Sequence, residues 1–184
     1  MLCVFAVAGF TISAVHLHLI GLLGELGLGA SAAMIGALIG PAQVAGRLVE
    51  FFSGGRMPAL RIMVFSNLAL LSGLLILVAG PAHVAVAAVA AAVFGLGQGV
   101  IYIVRGILPL ELFGSQGYGA MLGRFNAASL TMMAVAPVLT AAIREAYDAR
   151  TAVMAIMGVS ACGVAAALRL MAIIRSWEGR PDQP

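Results

Sequence analysis

Charged side chains are scarce in this sequence, and long apolar runs take their place. Among 184 residues, 9% are charged and 62% are hydrophobic, with a mean hydropathy of +1.10. Soluble domains carry roughly a quarter charged residues and under half apolar ones. The deficit of charge therefore excludes an ordinary soluble domain and indicates a protein whose main partner is the lipid bilayer.

Lysine is absent altogether, so all ten basic residues are Arg. They are dispersed between apolar segments and not gathered on one face, which argues against a nucleic-acid partner and for charges that flank a membrane. Cysteine is almost absent as well. Because Cys3 and Cys162 lie inside apolar segments without metal-ligand spacing, we predict packing residues, no metal and no cofactor.

A catalytic pairing is also missing from the sequence. An intramembrane serine hydrolase would need a nucleophilic Ser with a His base within reach. The segment Gly158-Val159-Ser160-Ala161 supplies a Ser, but no His follows it in the chain. The sequence therefore predicts a protein that is not an enzyme.

What the sequence does contain is a series of membrane-length apolar segments. A helix needs about 20 predominantly apolar residues to cross a hydrocarbon core of roughly 30 Å. We therefore predict an all-α polytopic membrane protein, a six-helix transmembrane bundle over 1–175 followed by a short cytoplasmic tail at 176–184. The six predicted spans lie at about 2–23, 30–52, 60–79, 82–104, 119–143 and 151–174.

The positions of the Arg residues predict the orientation, because cytoplasmic flanks accumulate Lys and Arg. If the helices alternate, eight of the ten Arg lie on one side. Only Arg144 and Arg150 lie on the other, together with Glu25, Glu145 and Asp148. Both termini are therefore predicted to be cytoplasmic.

Two predicted spans carry polar side chains at positions i, i+4 and i+7, which share one face of a helix. These stripes are Gln43, Arg47 and Glu50 in the second span and Gln98, Tyr102 and Arg105 in the fourth. Polar residues inside a membrane often line a substrate path, although Gln and Tyr also join helices by hydrogen bonds. The candidates for lining a substrate cavity are His16, Gln43, Gln98, Tyr102, Asn126 and Thr131.

Glycine and proline predict how the helices pack. Small residues four apart let two helix backbones approach closely, and Pro inside a span removes a backbone hydrogen bond and promotes a kink. The prolines within predicted spans are Pro41 and Pro137. The glycine pairs are Gly36 and Gly40, Gly95 and Gly99, and Gly119 and Gly123.

One part of the second span matches a known motif. The sequence reads Gly40-Pro41-Ala42-Gln43-Val44-Ala45-Gly46-Arg47-Leu48-Val49-Glu50, followed by Gly54-Gly55-Arg56. It resembles the segment around helices eight and nine of major facilitator superfamily transporters. Gly46 and Glu50 match the glycine and the acid of that motif, whereas Phe51 replaces the usual basic neighbour and the Gly-Arg element is displaced to Gly55-Arg56.

A second stretch, from Phe94-Gly95 through Arg105 to Gly123-Arg124, is similar to helices ten and eleven of bacterial members of that superfamily. The resemblance implies the C-terminal six-helix half of a secondary transporter, helices seven to twelve, in a bacterial cytoplasmic membrane. In that family one half rocks against the other to move a small-molecule substrate. The partner would be the missing N-terminal half or a second copy of the chain.

The resemblance also implies a cytoplasmic gate near the helix ends. Its candidate residues are Gly46, Arg47, Glu50, Arg56, Arg105 and Arg124. Two alternatives to a transporter half stay open at this point. One is a non-transporting six-helix membrane partner or scaffold, and the other is a half-size unit that must dimerise.

Overall fold

The computed structural model describes residues 1–53, 57–80 and 83–178, and within these ranges every regular element is a helix. This confirms the predicted all-α class. The α-helices are α1 (Leu2–Leu23), α2 (Gly29–Ala37), α3 (Ile39–Phe52), α4 (Ala59–Ala79), α5 (Val84–Phe113), α6 (Tyr118–Ala146) and α7 (Ala149–Glu178). A five-residue π-helical turn, Gly24–Leu28, connects α1 to α2.

Five helical stretches of the described chain are long and apolar enough to cross a membrane, where the sequence predicted six. The difference lies in the first stretch, Leu2–Phe52, which is 51 residues long and contains both the first and the second predicted span. A straight helix of that length would measure about 76 Å. This is more than twice the thickness of a hydrocarbon core, roughly 30 Å.

The first stretch is not straight, because the chain turns back at Gly27. This residue has a φ of 83°, a left-handed conformation that glycine adopts without steric cost. Beyond the turn, a methyl group added at Gly36 would lie 3.9 Å from Leu19 Cδ2 and 4.0 Å from Ile20 Cγ1. Since these residues would be about 24 Å apart in one continuous helix, α2 lies alongside the end of α1.

Helix α5 runs nine residues past the predicted end of the fourth span at 104 and includes Pro109. A proline removes only one helical hydrogen bond, so the adjoining turns can hold the helix together. Two contacts from neighbouring helices support this extension. Tyr118 donates a hydrogen bond from its hydroxyl to the Gly106 carbonyl at 2.9 Å, and Glu111 Oε2 accepts one from the Ala59 amide at 3.3 Å.

The helices pack as a series of neighbours in the order α3, α5, α4, α7, α1 and α6. The most extensive contacts join α4 to α5 and α1 to α6, and α2 touches both α1 and α5. The apolar core lies between these helices and includes Phe5, Ile12, Leu70, Phe94 and Ile101, each at most 2% exposed. Helices α3 and α6 occupy the two ends of the series.

Only one of the predicted glycine pairs lies where two backbones meet. A methyl group added at Gly95 would lie 2.7 Å from the Ile39 carbonyl oxygen, and one added at Gly99 would overlap the Gln43 carbonyl. The prediction of close packing is therefore confirmed for this pair. For Gly119 and Gly123 it stays a prediction, because a methyl group added at either would have no neighbour within 4 Å in the described chain.

Candidate functional site

Close approach of α3 and α5 brings the two predicted polar stripes onto neighbouring helices. The backbone of Gln43 lies against Gly99, and a methyl group added at Gly46 would lie 2.6 Å from the Leu96 carbonyl oxygen. Gln98 directly precedes Gly99 on α5 and is 2% exposed. Its Oε1 has no hydrogen-bond partner in the described chain. An unsatisfied buried amide oxygen is costly, which distinguishes Gln98 from the apolar residues that surround it in the bundle.

Arg105 continues the α5 stripe into an aromatic setting. Its guanidinium carbon lies 5.2 Å from the centroid of the Tyr102 ring and 6.0 Å from that of Phe5 on α1. The side chain is half-buried, and its Nε and Nη2 are buried without partners among the described residues. Aromatic faces attract a cation, but they offer no acceptors for its N–H donors. Arg105 is thus a cation whose surroundings, as far as the structure describes them, lack an anion.

A second polar cluster joins α1 to α6. Arg144 pairs with Glu25, and its Nη1 lies 3.2 Å from His18 Nδ1, while His18 Nε2 lies 3.0 Å from the Pro137 carbonyl. Because Arg can only donate and a carbonyl can only accept, these contacts assign the neutral Nε2–H tautomer to His18. The cluster ties the C-terminal end of α1 to that of α6.

The same helix pair carries a hydrogen bond that compensates for a proline. Pro137 has no amide hydrogen, so the Met133 carbonyl loses the helical donor it would otherwise have. Ser13 on α1 donates its hydroxyl to this carbonyl at 2.7 Å. Pro137, where the sequence predicted a kink, therefore lies at a contact between α1 and α6.

Known proteins give no guide to these clusters. No protein-family model, curated protein or solved structure matches the chain. What the site does must therefore be argued from its own residues.

The predicted gate residues that the structure describes do not form one ion-paired cluster. Gly46 is buried, Arg47 and Arg124 are exposed, and Glu50 is half-buried. The one ion pair among the described residues is Arg144 with Glu25, so Arg47 and Glu50 are not paired here. Glu50 instead borders a cavity of about 80 Å³ that Glu111 also lines. Arg56 lies outside the described residues.

The remaining predicted cavity residues are distributed over α1 and α6. His16 is exposed on α1, and Asn126 is half-buried on α6. Thr131 is exposed and donates its hydroxyl to the Ala127 carbonyl of its own helix at 2.9 Å. Within the part of the chain that the structure describes, no three His, Cys, Asp or Glu side chains could hold a metal ion together.

Sequence reasoning missed the cluster of His18, Glu25 and Arg144, and it selected His16 where His18 makes the contacts. One signal pointed to this cluster. Glu25 follows the first predicted span and Arg144 the fifth, both on the predicted outer side, and their charges are opposite. These opposite charges can form an ion pair only if α1 and α6 are neighbours, and the sequence did not reveal that they are.

Proposed function

We propose that this chain is the C-terminal six-helix half of a major facilitator superfamily transporter, with α2 and α3 together forming the second of its six crossings. It moves a small solute across a bacterial cytoplasmic membrane together with a second six-helix half. The observation that carries this proposal is the exposure of α3 and α6. Of the 29 residues of α6, only Phe125, Ser129, Ala136 and Thr140 are buried, and α3 buries only Ile39 and Gly46.

Exposed apolar residues would suit lipid, but these two helices also expose polar ones. Arg47 on α3 and Arg124 and Thr131 on α6 are exposed in the described chain. Charged side chains are expensive in lipid and usually face a bundle interior or a water-filled cavity. A second bundle against α3 and α6 would supply such an environment and would complete a central cavity.

In this proposal the first wall of the substrate path comes from α5 and α3. Gln98 and Tyr102 present polar groups inside the apolar bundle, and Gln43 lies on the helix packed against them. Rocking of the two halves would expose this wall to either side of the membrane in turn. Arg47, Glu50 and Arg56 would lie near the cytoplasmic end and take part in the gate.

The proposal is tested by comparing the chain alone with the product of the reading frame extended upstream of Met1. Cells that express each form are assayed for accumulation of a panel of radiolabelled sugars, amino acids and organic acids. We expect saturable uptake only with the longer product, since the chain alone supplies one wall of the cavity. Saturable uptake by a demonstrated monomer of this chain would contradict the proposal.

Variants of the longer product test the role of the α5 stripe. Replacing Gln98 with Ala should lower uptake at unchanged membrane abundance, because the substrate path loses a polar group. The matched control is Ser176→Ala, which removes a hydroxyl that bonds only the Ile173 carbonyl of its own helix at 2.7 Å. If no six helices are encoded upstream and no uptake is found in a dimer either, a scaffold role replaces the transporter proposal.

A further inference from the structure

His18 joins two helices through both of its ring nitrogens. Its Nδ1 accepts a hydrogen bond from Arg144 Nη1 at 3.2 Å, and its Nε2 donates one to the Pro137 carbonyl at 3.0 Å. Both partners belong to α6, whereas His18 belongs to α1, so the ring bridges the two helices. Because a guanidinium has only donors and a carbonyl has only acceptors, this bridge needs the neutral ring with its proton on Nε2.

The Arg144 guanidinium is enclosed on the side of α1. Its Nη2 pairs with Glu25, its Nη1 contacts His18, and a methyl group added at Gly21 would lie 3.0 Å from Nη2. His18, Gly21 and Glu25 follow one another at intervals of three and four residues, which is the spacing of one helix face. The guanidinium therefore lies across the end of α1. It cannot move away from the His18 ring without also leaving Gly21 or Glu25.

The charges of this cluster balance only while His18 is neutral. Arg144 and Glu25 then supply one cation and one anion. A proton on His18 Nδ1 would add a second cation and would remove the acceptor that holds the guanidinium. Like charges in direct contact repel each other strongly where little water screens them, and both side chains are half-buried. Either the ring or the guanidinium would then have to leave, and both movements break a link between α1 and α6.

No other charged group that the structure describes offsets such a proton. Helix α2 carries no ionisable side chain, and of those on α6 only Arg144 contacts His18. His16 is exposed and lies about 200° away around α1. The other charged residues at this end of the bundle are exposed and make no described ion pair with His18: Glu145, Asp148 and Arg150.

We propose that this bridge is an acid-sensitive contact, in which uptake of a proton by His18 releases the ends of α1 and α6 from each other. The released ring can carry the proton, whereas the bridged ring cannot carry it and keep both partners. A state that binds an additional proton gains population as the pH falls. Because the charge of His ordinarily changes between about pH 5 and 8, the contact is closed at the upper end of this range and open at the lower end. The proposal does not depend on whether the chain transports a solute.

Two spin labels measure the separation of these helix ends. Gly24→Cys and Ala146→Cys place the labels at exposed positions, and a side chain at Gly24 would have no neighbour within 4 Å. The background lacks the exposed Cys3 and Cys162. The full chain in phosphatidylcholine nanodiscs is measured by pulsed electron paramagnetic resonance at about pH 8 and about pH 5.5, both above the range near pH 4 where carboxyl groups ordinarily titrate. The ratio of long to short distances should rise about tenfold at the lower pH.

Variants separate the proton from the rest of the cluster. His18→Asn keeps an acceptor close to the position of Nδ1 and cannot be protonated, so its labels should stay at the short distance at both pH values. His18→Lys carries a charge beside Arg144 throughout this range and should show the long distance at both. His16→Gln removes an exposed imidazole of the same helix and is the matched control, which should respond to pH as wild type does.

Three results would overturn the proposal. The first is a distance distribution in wild type that is the same at both pH values. The second is a pH response of wild-type size in His18→Asn. The third is a long distance in His18→Asn at the higher pH, because a neutral acceptor at this position should hold the guanidinium.

Discussion

At the scale of single residues, the cluster at the ends of α1 and α6 combines two weak interactions on one guanidinium. The side chains of Arg144 and Glu25 are 24% and 47% exposed, so their ion pair alone is worth roughly 0–1 kcal/mol. Arg144 also meets His18, whose other ring nitrogen bonds the Pro137 carbonyl. Arg144 therefore stabilises the contact of α1 with α6 through Glu25 and His18 together, and less through the exposed ion pair alone.

Replacing Arg144 with Gln should therefore lower the free energy of unfolding by about 1 kcal/mol, since the ion pair and the contact to His18 are lost together. The measurement is thermal unfolding in detergent. Glu145→Gln is the control, because its side chain is exposed and takes no part in the described ion pair. Exchanging Glu25 and Arg144 should recover part of the loss; no recovery would mean that the pair contributes nothing.

Asp148 makes the start of α7 sensitive to acid. Hydrogen bonds from the side chain and the backbone amide of Thr151, the latter at 2.7 Å, hold the pKa of the Asp148 carboxyl below its ordinary value of 3.8. A lowered pKa in the folded state means that the ionised carboxylate stabilises the fold. This contribution is present above pH 3.8 and is lost as the pH falls through the folded-state pKa.

The expected result is a melting temperature that is lower for Asp148→Ala than for wild type at neutral pH. The melting temperatures of the two proteins should converge as the pH falls below 3.8, because the wild-type carboxylate is then protonated and no longer caps the start of α7. Melting curves from neutral to acid pH measure the difference. A gap that persists unchanged at the acid limit would show that the ionised carboxylate is not the cause.

At the scale of elements, the interface of α1 and α6 supplies what the sequence of α6 lacks. Ser13 donates to the Met133 carbonyl, which Pro137 leaves without its helical donor. A small residue is also needed nearby, since a methyl group added at Gly9 would lie 2.8 Å from the Ser129 carbonyl oxygen. Pairing of these two helices thus depends on both a hydrogen bond and a close approach.

Ser13→Ala should destabilise the protein by about 1 kcal/mol, because a carbonyl between the helices loses its donor. The effect should shrink when Pro137 is replaced with Ala, since an amide at position 137 could then bond Met133 itself. A double-mutant cycle followed by thermal unfolding measures this coupling. Strictly additive effects would mean that Ser13 does not compensate for the proline.

The contact of α3 with α5 offers a matched pair of glycines on one helix. A methyl group added at Gly46 would lie 2.6 Å from the Leu96 carbonyl oxygen, whereas one added at Gly40 has no neighbour within 4 Å. Gly46→Ala should therefore lower the free energy of unfolding by about 1–3 kcal/mol through overpacking. Gly40→Ala should instead raise it by up to about 1 kcal/mol through helix propensity. Equal effects in chemical unfolding would contradict this packing.

At the scale of the whole molecule, the arrangement leaves its two end helices, α3 and α6, with most of their surface uncovered. Helix α5 packs against α2, α3, α4 and α6, and α1 packs against α2, α6 and α7. The exposure of α3 and α6 is the reason for proposing that a second bundle packs against them.

The proposed orientation places Glu25 and Asp148 outside and Gly114 in the cytoplasm, following the distribution of Arg. Single cysteines at these positions, in a variant that lacks the exposed Cys3 and Cys162, test it with a membrane-impermeant maleimide on intact cells. Positions 25 and 148 should react at once, and position 114 only after permeabilisation. The opposite pattern would invert the orientation and weaken the proposed function. Arg56, expected on the cytoplasmic side, lies outside the described residues.

The sequence by itself determined the helical class and most helix positions. A chain with so little charge and such long apolar runs has to satisfy its backbone hydrogen bonds within each segment, which favours helices. The first predicted segment coincides with α1, for instance, while the fourth, predicted to end at 104, continues as α5 to Phe113 through Pro109. The apolar pattern did not reveal that α2 and α3 are separated at Leu38. Pro41, where the sequence predicted a kink, was the signal, because it lacks the amide hydrogen that would bond the Ala37 carbonyl.

Only the tertiary structure decided which polar residues meet. His16 and His18 look alike in the sequence, yet a helix turns by about 100° per residue, so the two side chains point in very different directions. Which one faces α6 depends on how α1 is rotated about its axis, and that rotation is set by packing along the whole helix. The contact of His18 with Arg144 joins residues 126 positions apart, beyond the reach of any local pattern.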